Sequence, residues 1–191
     1  VQAVLQQQII RVEGVWIVDI PNYTFAQNSI ITMAPGAQII VAANNELTIS
    51  NSTVQNDAVC NFMWRSITAE AGSRLYLKST TLIGGQYAVE AFHKSSVLTQ
   101  SSTFRDNFIG IYVPPATIVN PQQVTLGLSS FSSNIFTTVN GIPNPYPGHP
   151  TQPLNPIAGT VGYAGIHVSD LIMLDIRQFN STQQTANVFS N

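Results

Sequence analysis

Residues 67–113 read ITAEAGSRLYLKSTTLIGGQYAVEAFHKSSVLTQSSTFRDNFIGIYV. Ile67, Val89 and Ile111 recur at a step of 22 residues, as do Leu75 with Val97 and Leu82 with Phe104. A fixed period of apolar anchors is the mark of a repeat architecture. Around each anchor the apolar residues alternate with polar ones: Ala69, Ala91 and Val113 stand two places after the three members of the Ile67 series. Alternation over a few residues indicates a short strand.

Extended along the chain, the pattern gives three families. The first is Val18, Leu47, Leu75, Val97, Val124 and Leu174, with Ile20, Ile49, Leu77, Thr99 and Leu126 as second inward residues. The second is Phe25, Val54, Leu82, Phe104 and Phe131, each seven residues after its first-family partner, with Phe189 continuing it. The third is Ile39, Ile67, Val89, Ile111 and Ile166. Three short strands per coil of about 22 residues, joined by Gly, Asn and Ser turns, predict a right-handed parallel β-helix. Its rungs stack at the strand spacing of ~4.8 Å, so each family becomes an apolar column. Asn28, Asn107 and Asn134 each stand three residues after a Phe, which predicts an Asn stack along one corner, since Asn tolerates left-handed backbone. Gly110 and Gly165 precede the third-face strand, where a side chain would crowd the bend.

Two segments depart from the period. Residues 1–17 read as an N-terminal cap or an incomplete coil. Residues 135–162 carry six prolines, which cannot donate ladder hydrogen bonds. They read as a loop inserted in the β-helix of residues 18–191, between the second and third faces. The final residues sit where the phrase would enter another strand, and an open β-helix end exposes strand edges. The chain is therefore expected to be a segment of a longer one, or to be covered by another domain or subunit.

Composition narrows the function. Charged residues make up 8% of the chain, against roughly 25% in ordinary soluble domains; this polar but weakly charged surface suits an extracellular setting. With no basic run and a net charge of −2, nucleic acid is not an expected partner. No apolar run reaches the ~18 residues of a spanning helix. The start lacks the basic flank and cleavage site of a signal peptide. The single cysteine, Cys60, rules out an internal disulfide framework and zinc patterns built on cysteine pairs. It reads as buried or idle, since a free Cys behaves as a small hydrophobe.

The stretches MAPGAQIIVAANNELTISNSTV (33–54), CNFMW (60–64) and FRDNFIGIYV (104–113) resemble the parallel β-helix regions of large bacterial secreted and cell-surface proteins, many exported by the type IX route. Cys60, Met63 and Trp64 match that pattern, while Ser66 stands where Gly is usual. The resemblance implies an extracellular scaffold or adhesin, with other domains, neighbouring subunits, surface glycans or secretion machinery as partners. It implies no cofactor and no chemistry.

Parallel β-helices also host carbohydrate-active enzymes, so the acids were tested against that reading. An inverting glycosidase needs two carboxylates ~6.5–9.5 Å apart, and no two acids share an outward position on adjacent coils. Asp106–Asn107 and Asn56–Asp57 are too sparse for a calcium site. The one outward stripe of interest is Ile40, Thr68, Glu90, Tyr112 and His167. A carboxylate, a phenol and an imidazole on successive coils have the groups for acid–base work or sugar binding. Tyr76 and Leu98 point outward on the first face. In the proline loop, Tyr146 and His149 are candidates for partner contact, with PGHP (147–150) read as a turn. The leading expectation is a non-enzymatic scaffold, and the alternative is a carbohydrate-binding or carbohydrate-active β-helix.

Overall fold

The computed structural model describes residues 2–115, 123–126, 133–149, 155–169, 173–174 and 188–190. The chain visits the same three positions coil after coil. The first coil holds β1 (Gln2–Gln6), β2 (Ile9–Val12) and β3 (Val15–Val18). The second holds β4 (Asn22–Ala26), β5 (Ile30–Met33) and β6 (Gln38–Val41), and the third β7 (Glu46–Ser50), β8 (Thr53–Asn56) and β9 (Trp64–Ala69). Then come β10 (Arg74–Lys78), β11 (Thr81–Ile83) and β12 (Gly85–Ala91), followed by β13 (Ser96–Gln100), β14 (Thr103–Arg105) and β15 (Ile109–Val113). The sixth coil is β16 (Gln123–Leu126), β17 (Ile135–Thr137) and β18 (Ala164–Val168); β19 (Met173–Leu174) and β20 (Val188–Ser190) open a seventh.

These strands make three parallel sheets: β1-β4-β7-β10-β13-β16-β19, β2-β5-β8-β11-β14-β17-β20 and β3-β6-β9-β12-β15-β18. No helix occurs among the described residues. The chain is a parallel β-helix with three strands per coil. Residues 2–18 give one strand to each sheet, so the stretch read as a cap or an incomplete coil supplies a full set of three.

The third column is the one expected: Ile39, Ile67, Val89, Ile111 and Ile166 pair in succession, with Trp16 before them. The second column runs Ile10, Ile31, Val54, Leu82, Phe104, Phe136 and Phe189. Its last three rings lie nearly parallel, with centroids 4.5 and 4.8 Å apart. That separation is the strand spacing itself, so the backbone ladder dictates the ring stack.

Three column assignments are corrected. Val18 pairs with Val41 on the third sheet, and Tyr23 takes the first-column place opposite Leu47. Phe25 pairs with Ile49 on the first sheet, and Ile31 holds the second-column place. The seven-residue gap from Val18 to Phe25 therefore joins strands of consecutive coils and imitates the true gap. Val97 pairs with Leu126, so Val124 lies two residues out of the expected register. A slip of two keeps the same face inward, and Val124 stays buried. The place assigned to Phe131, which lies outside the described residues, is held by Phe136.

The Asn stack is also corrected. Asn28 and Asn134 lie at the corner between the first and second sheets, and Asn107 at the next corner. The first corner instead repeats a two-residue device. Asn28, Asn51, Ser79, Ser101 and Ser133 have positive φ, and each is followed by a buried polar residue: Ser29, Ser52, Thr80, Ser102 and Asn134. These side chains bind the turn backbone. Ser102 Oγ accepts from Thr80 N at 3.3 Å, and Asn134 Oδ1 accepts from Ser102 N at 3.1 Å. Cys60 is exposed in the turn between β8 and β9, not buried. Gly110 is confined as expected: a Cβ there would lie 2.5 Å from Gly165 O and 2.7 Å from the Phe136 ring.

Replacing Phe104 by Ala should cost about 3–5 kcal/mol of unfolding free energy, because its ring is 2% exposed within the stack. Thr103→Ala, on the outer side of the same strand, should cost less than about 0.5 kcal/mol. Urea titration of the two variants checks the contrast.

Candidate functional site: the covered face of the third sheet

The outer face of the third sheet carries two side-chain columns. Backbone pairing sets Ile17, Ile40, Thr68, Glu90, Tyr112 and His167 in one. Gln38, Ser66, Tyr87, Ile109 and Ala164 form the other. The irregularity between Tyr87 and Val89 lets Tyr87 and Glu90 face outward together although they are three residues apart. The Glu90–Tyr112–His167 stripe thus exists as a succession of neighbours.

The stripe is covered. Residues 138–149 leave β17 and lie against this face, and residues 155–163 lead into β18; Ile135–Thr137, expected to be part of the loop, is the strand that launches the excursion. Asp106 fastens the exit. Its Oδ1 accepts from Val139 N at 2.6 Å and Asn140 N at 3.0 Å, and its Oδ2 accepts from Asn140 Nδ2 at 3.4 Å. Ile142 then buries against Met63, Tyr87, Phe108, Ile109 and Tyr112, and Tyr146 packs on the same cluster. Asn144 makes a parallel bridge with Phe62: Met63 N donates to Asn144 O at 2.7 Å, and Asn144 N donates to Asn61 O at 3.0 Å. The prolines flanking Asn144 lack an N–H, so this residue supplies the donor. The Tyr146 ring leaves no space for a side chain at Gly36, whose Cβ would stand 2.9 Å from it. On the return, Ile142 N donates to Thr160 O and Tyr163 N to Phe108 O.

Beneath this cover lies a polar network. Gln38 Nε2 donates to Thr68 Oγ1 at 2.7 Å and to Ser66 Oγ at 3.2 Å. Thr68 and Ser66 donate in turn to Glu90 Oε2 at 3.2 and 3.4 Å. Burial holds the Glu90 carboxyl above the usual carboxylate range, opposed by nearby Arg65 and by the two hydroxyls. Burial also pushes the Tyr87 phenol up to about 12, aided by Tyr112, Glu90 and Tyr146. The Tyr146 phenol is raised mainly by burial, with Arg65 opposing and Glu90 adding. At neutral pH both phenols are uncharged donors.

Of the other candidates, Tyr112 and His167 share this face, while Tyr76 does not. Tyr112 stacks on Tyr87 at 4.5 Å. His167 meets Tyr112 edge-on at 5.7 Å and shares a hydrogen bond with Ser169 Oγ at 3.0 Å. His149 closes a turn through its N–H to Tyr146 O and sets its ring edge-on to Tyr146. Tyr76 belongs to the first sheet, between Thr48 and Leu98, where Glu46, Ser50, Lys78 and Gln100 flank it in a shallow groove. The acids other than Glu90 that the structure engages have structural tasks. Arg11 bridges Glu13 and Asp57, and Asp106 holds the excursion. Glu90 has Thr68 and Tyr112 as its neighbours on adjacent coils, so no second carboxylate shares its position. Among the described residues no cluster of three His, Cys, Asp or Glu side chains stands ready for a metal ion.

No family model, curated protein or solved structure matches the chain.

The sequence reading missed Met63, Phe108, Ile109 and Ile142 as a second apolar cluster outside the prism. The available signal was Ile142 and Tyr146 among prolines, two large apolar groups in a segment otherwise read as exposed. Replacing Asp106 by Ala should weaken the attachment of the excursion by about 1–3 kcal/mol. Hydrogen exchange at Val139 and Asn140 should accelerate while the amides of β10 and β13 keep their protection.

Proposed function

We propose that this chain is a non-enzymatic scaffold: a β-helical segment of a secreted or cell-surface bacterial protein, of the kind carried by the type IX route, used for extension, adhesion or assembly. The observation that carries this reading is the sealing of the outward stripe. Glu90 and Tyr112 are 8% and 7% exposed, and Oε2 of the carboxyl accepts from Ser66 and Thr68. A general acid or base needs access to its substrate, and a glycosidase needs a second carboxylate. Stability, in contrast, needs only what is present: apolar columns inside and a ladder running from coil to coil. Rigidity then follows from geometry, since each coil is hydrogen-bonded to the next along three faces. The weakly charged, Ser/Thr/Asn-rich exterior supports the extracellular setting.

A sugar-binding reading is favoured by one observation, the first-sheet groove. Tyr76 and Leu98 form an apolar floor there, rimmed by Glu46, Lys78 and Gln100. Aromatic faces with polar rims suit a pyranose ring, apolar on its face and hydroxylated at its edge.

Incubation with a panel of polysaccharides, read as released reducing ends and as retention on glycan arrays, separates these readings. The scaffold predicts no cleavage, and no change in either readout for Glu90→Ala/His167→Ala. Cleavage abolished by that double variant would overturn it. Retention lost on Tyr76→Ala would place function in the groove.

A further inference from the structure

We propose that residues 138–149 form a pH-responsive cover: with Glu90 protonated they stay seated on the third sheet, and ionisation of Glu90 loosens them and bares Tyr87 and Tyr112. The geometry leads there. Glu90 is 8% exposed, yet among the described residues its carboxyl is met by hydroxyls, those of Ser66 and Thr68 at 3.4 and 3.2 Å, and by no cation in an ion pair. A buried carboxylate without a cation is strongly disfavoured. Moreover, Gln38 already donates to both hydroxyls, and Ser66 and Thr68 also lie 2.8 Å from each other.

The ionisable groups around Glu90 do not supply the missing charge. On β12 itself stands Tyr87, a phenol. From β9, Arg65 is close enough to act on Glu90 but is exposed, and it makes no ion pair with it among the described residues. From β15 comes Tyr112, and from the cover Tyr146. His167 lies beyond Tyr112 and His149 lies against Tyr146; neither pairs with the carboxyl. The cover thus brings Tyr146 and its apolar cluster beside a carboxyl whose ionisation burial opposes. Lifting it returns water to Glu90.

The sign follows from linkage. Burial holds the Glu90 carboxyl above its ordinary range; with the cover supplying part of that burial, the contribution to closure is complete below the ordinary carboxylate range. That contribution is lost as pH rises through the raised value. Between the two, one titrating group increases the open-to-closed ratio by up to about tenfold per pH unit.

Hydrogen-exchange mass spectrometry on the full chain, corrected for intrinsic exchange, tests this between about pH 4 and pH 8. Peptides containing the Met63 and Asn144 amides, which hold the bridge, should lose protection with that slope, while peptides of β10 and β13 stay flat. Glu90→Gln, close in shape and unable to ionise, should abolish the slope and keep the cover protected throughout. Tyr146→Phe should preserve the slope. A wild-type cover whose protection does not change with pH, or an equal slope in Glu90→Gln, overturns the proposal. So does loss of the slope in Tyr146→Phe, which would assign the titration to the phenol. Should Glu90→Gln fail to fold, the wild-type comparison of cover against β10 and β13 decides alone, and equal slopes in both overturn it.

Discussion

The parallel backbone ladder between coils is the constraint on which the rest of this protein depends. It fixes successive strands ~4.8 Å apart and repeats any inward residue at that interval. The side chains then have no choice of partner. Phe104, Phe136 and Phe189 lie face to face because their strands do. Ile39, Ile67, Val89, Ile111 and Ile166 form a continuous column for the same reason. A single coil cannot bury its own apolar face, so each one depends on its neighbours, and stability is shared along the axis.

The corners show how the ladder tolerates sharp bends. The first corner takes a left-handed residue followed by a buried hydroxyl or amide, at Asn51–Ser52, Ser79–Thr80 and Ser101–Ser102. The side chain enters the space that the bend opens and satisfies backbone groups that the sheets cannot reach. At the next corner, Asn107 performs a related task, accepting from Gly85 N and donating to Leu82 O. Local chemistry and stacking therefore agree at each turn. An excursion can leave such a corner without disturbing the sheets, and the chain does so between β17 and β18. Once outside, that segment has its own apolar groups to bury, and the nearest apolar surface is Tyr87, Phe108 and Tyr112 on the third sheet. A face that would otherwise be wet becomes the floor of a second small core.

Periodicity was legible where the loops are short. From Leu47 to Val113 the three columns follow from spacing alone, since every corner there is only a few residues long except the one between β8 and β9. Errors gathered where the spacing was imitated or diluted. Val18 and Phe25 copied the seven-residue gap across two coils. Val124 could slip by two without exposing anything, because alternate residues share a face. Asn28, Asn107 and Asn134 looked equivalent from their distance to a preceding aromatic, but they serve different corners. Trp16 was read as part of a cap or an incomplete coil, although it begins the third column.

What the sequence determined by itself was the set of inward residues and, with them, the parallel three-sheet helix and the order Thr68, Glu90, Tyr112, His167 along one outer face. These follow from alternation and period, which are local properties of the chain. What only the tertiary structure decided was the fate of that face. Where the proline-rich excursion comes to rest is set by residues far apart in sequence: Asn144 bridged to Phe62, Ile142 in one cluster with Tyr87 and Tyr112, Tyr146 against Gly36. No period encodes such contacts, because the segment that makes them occurs once.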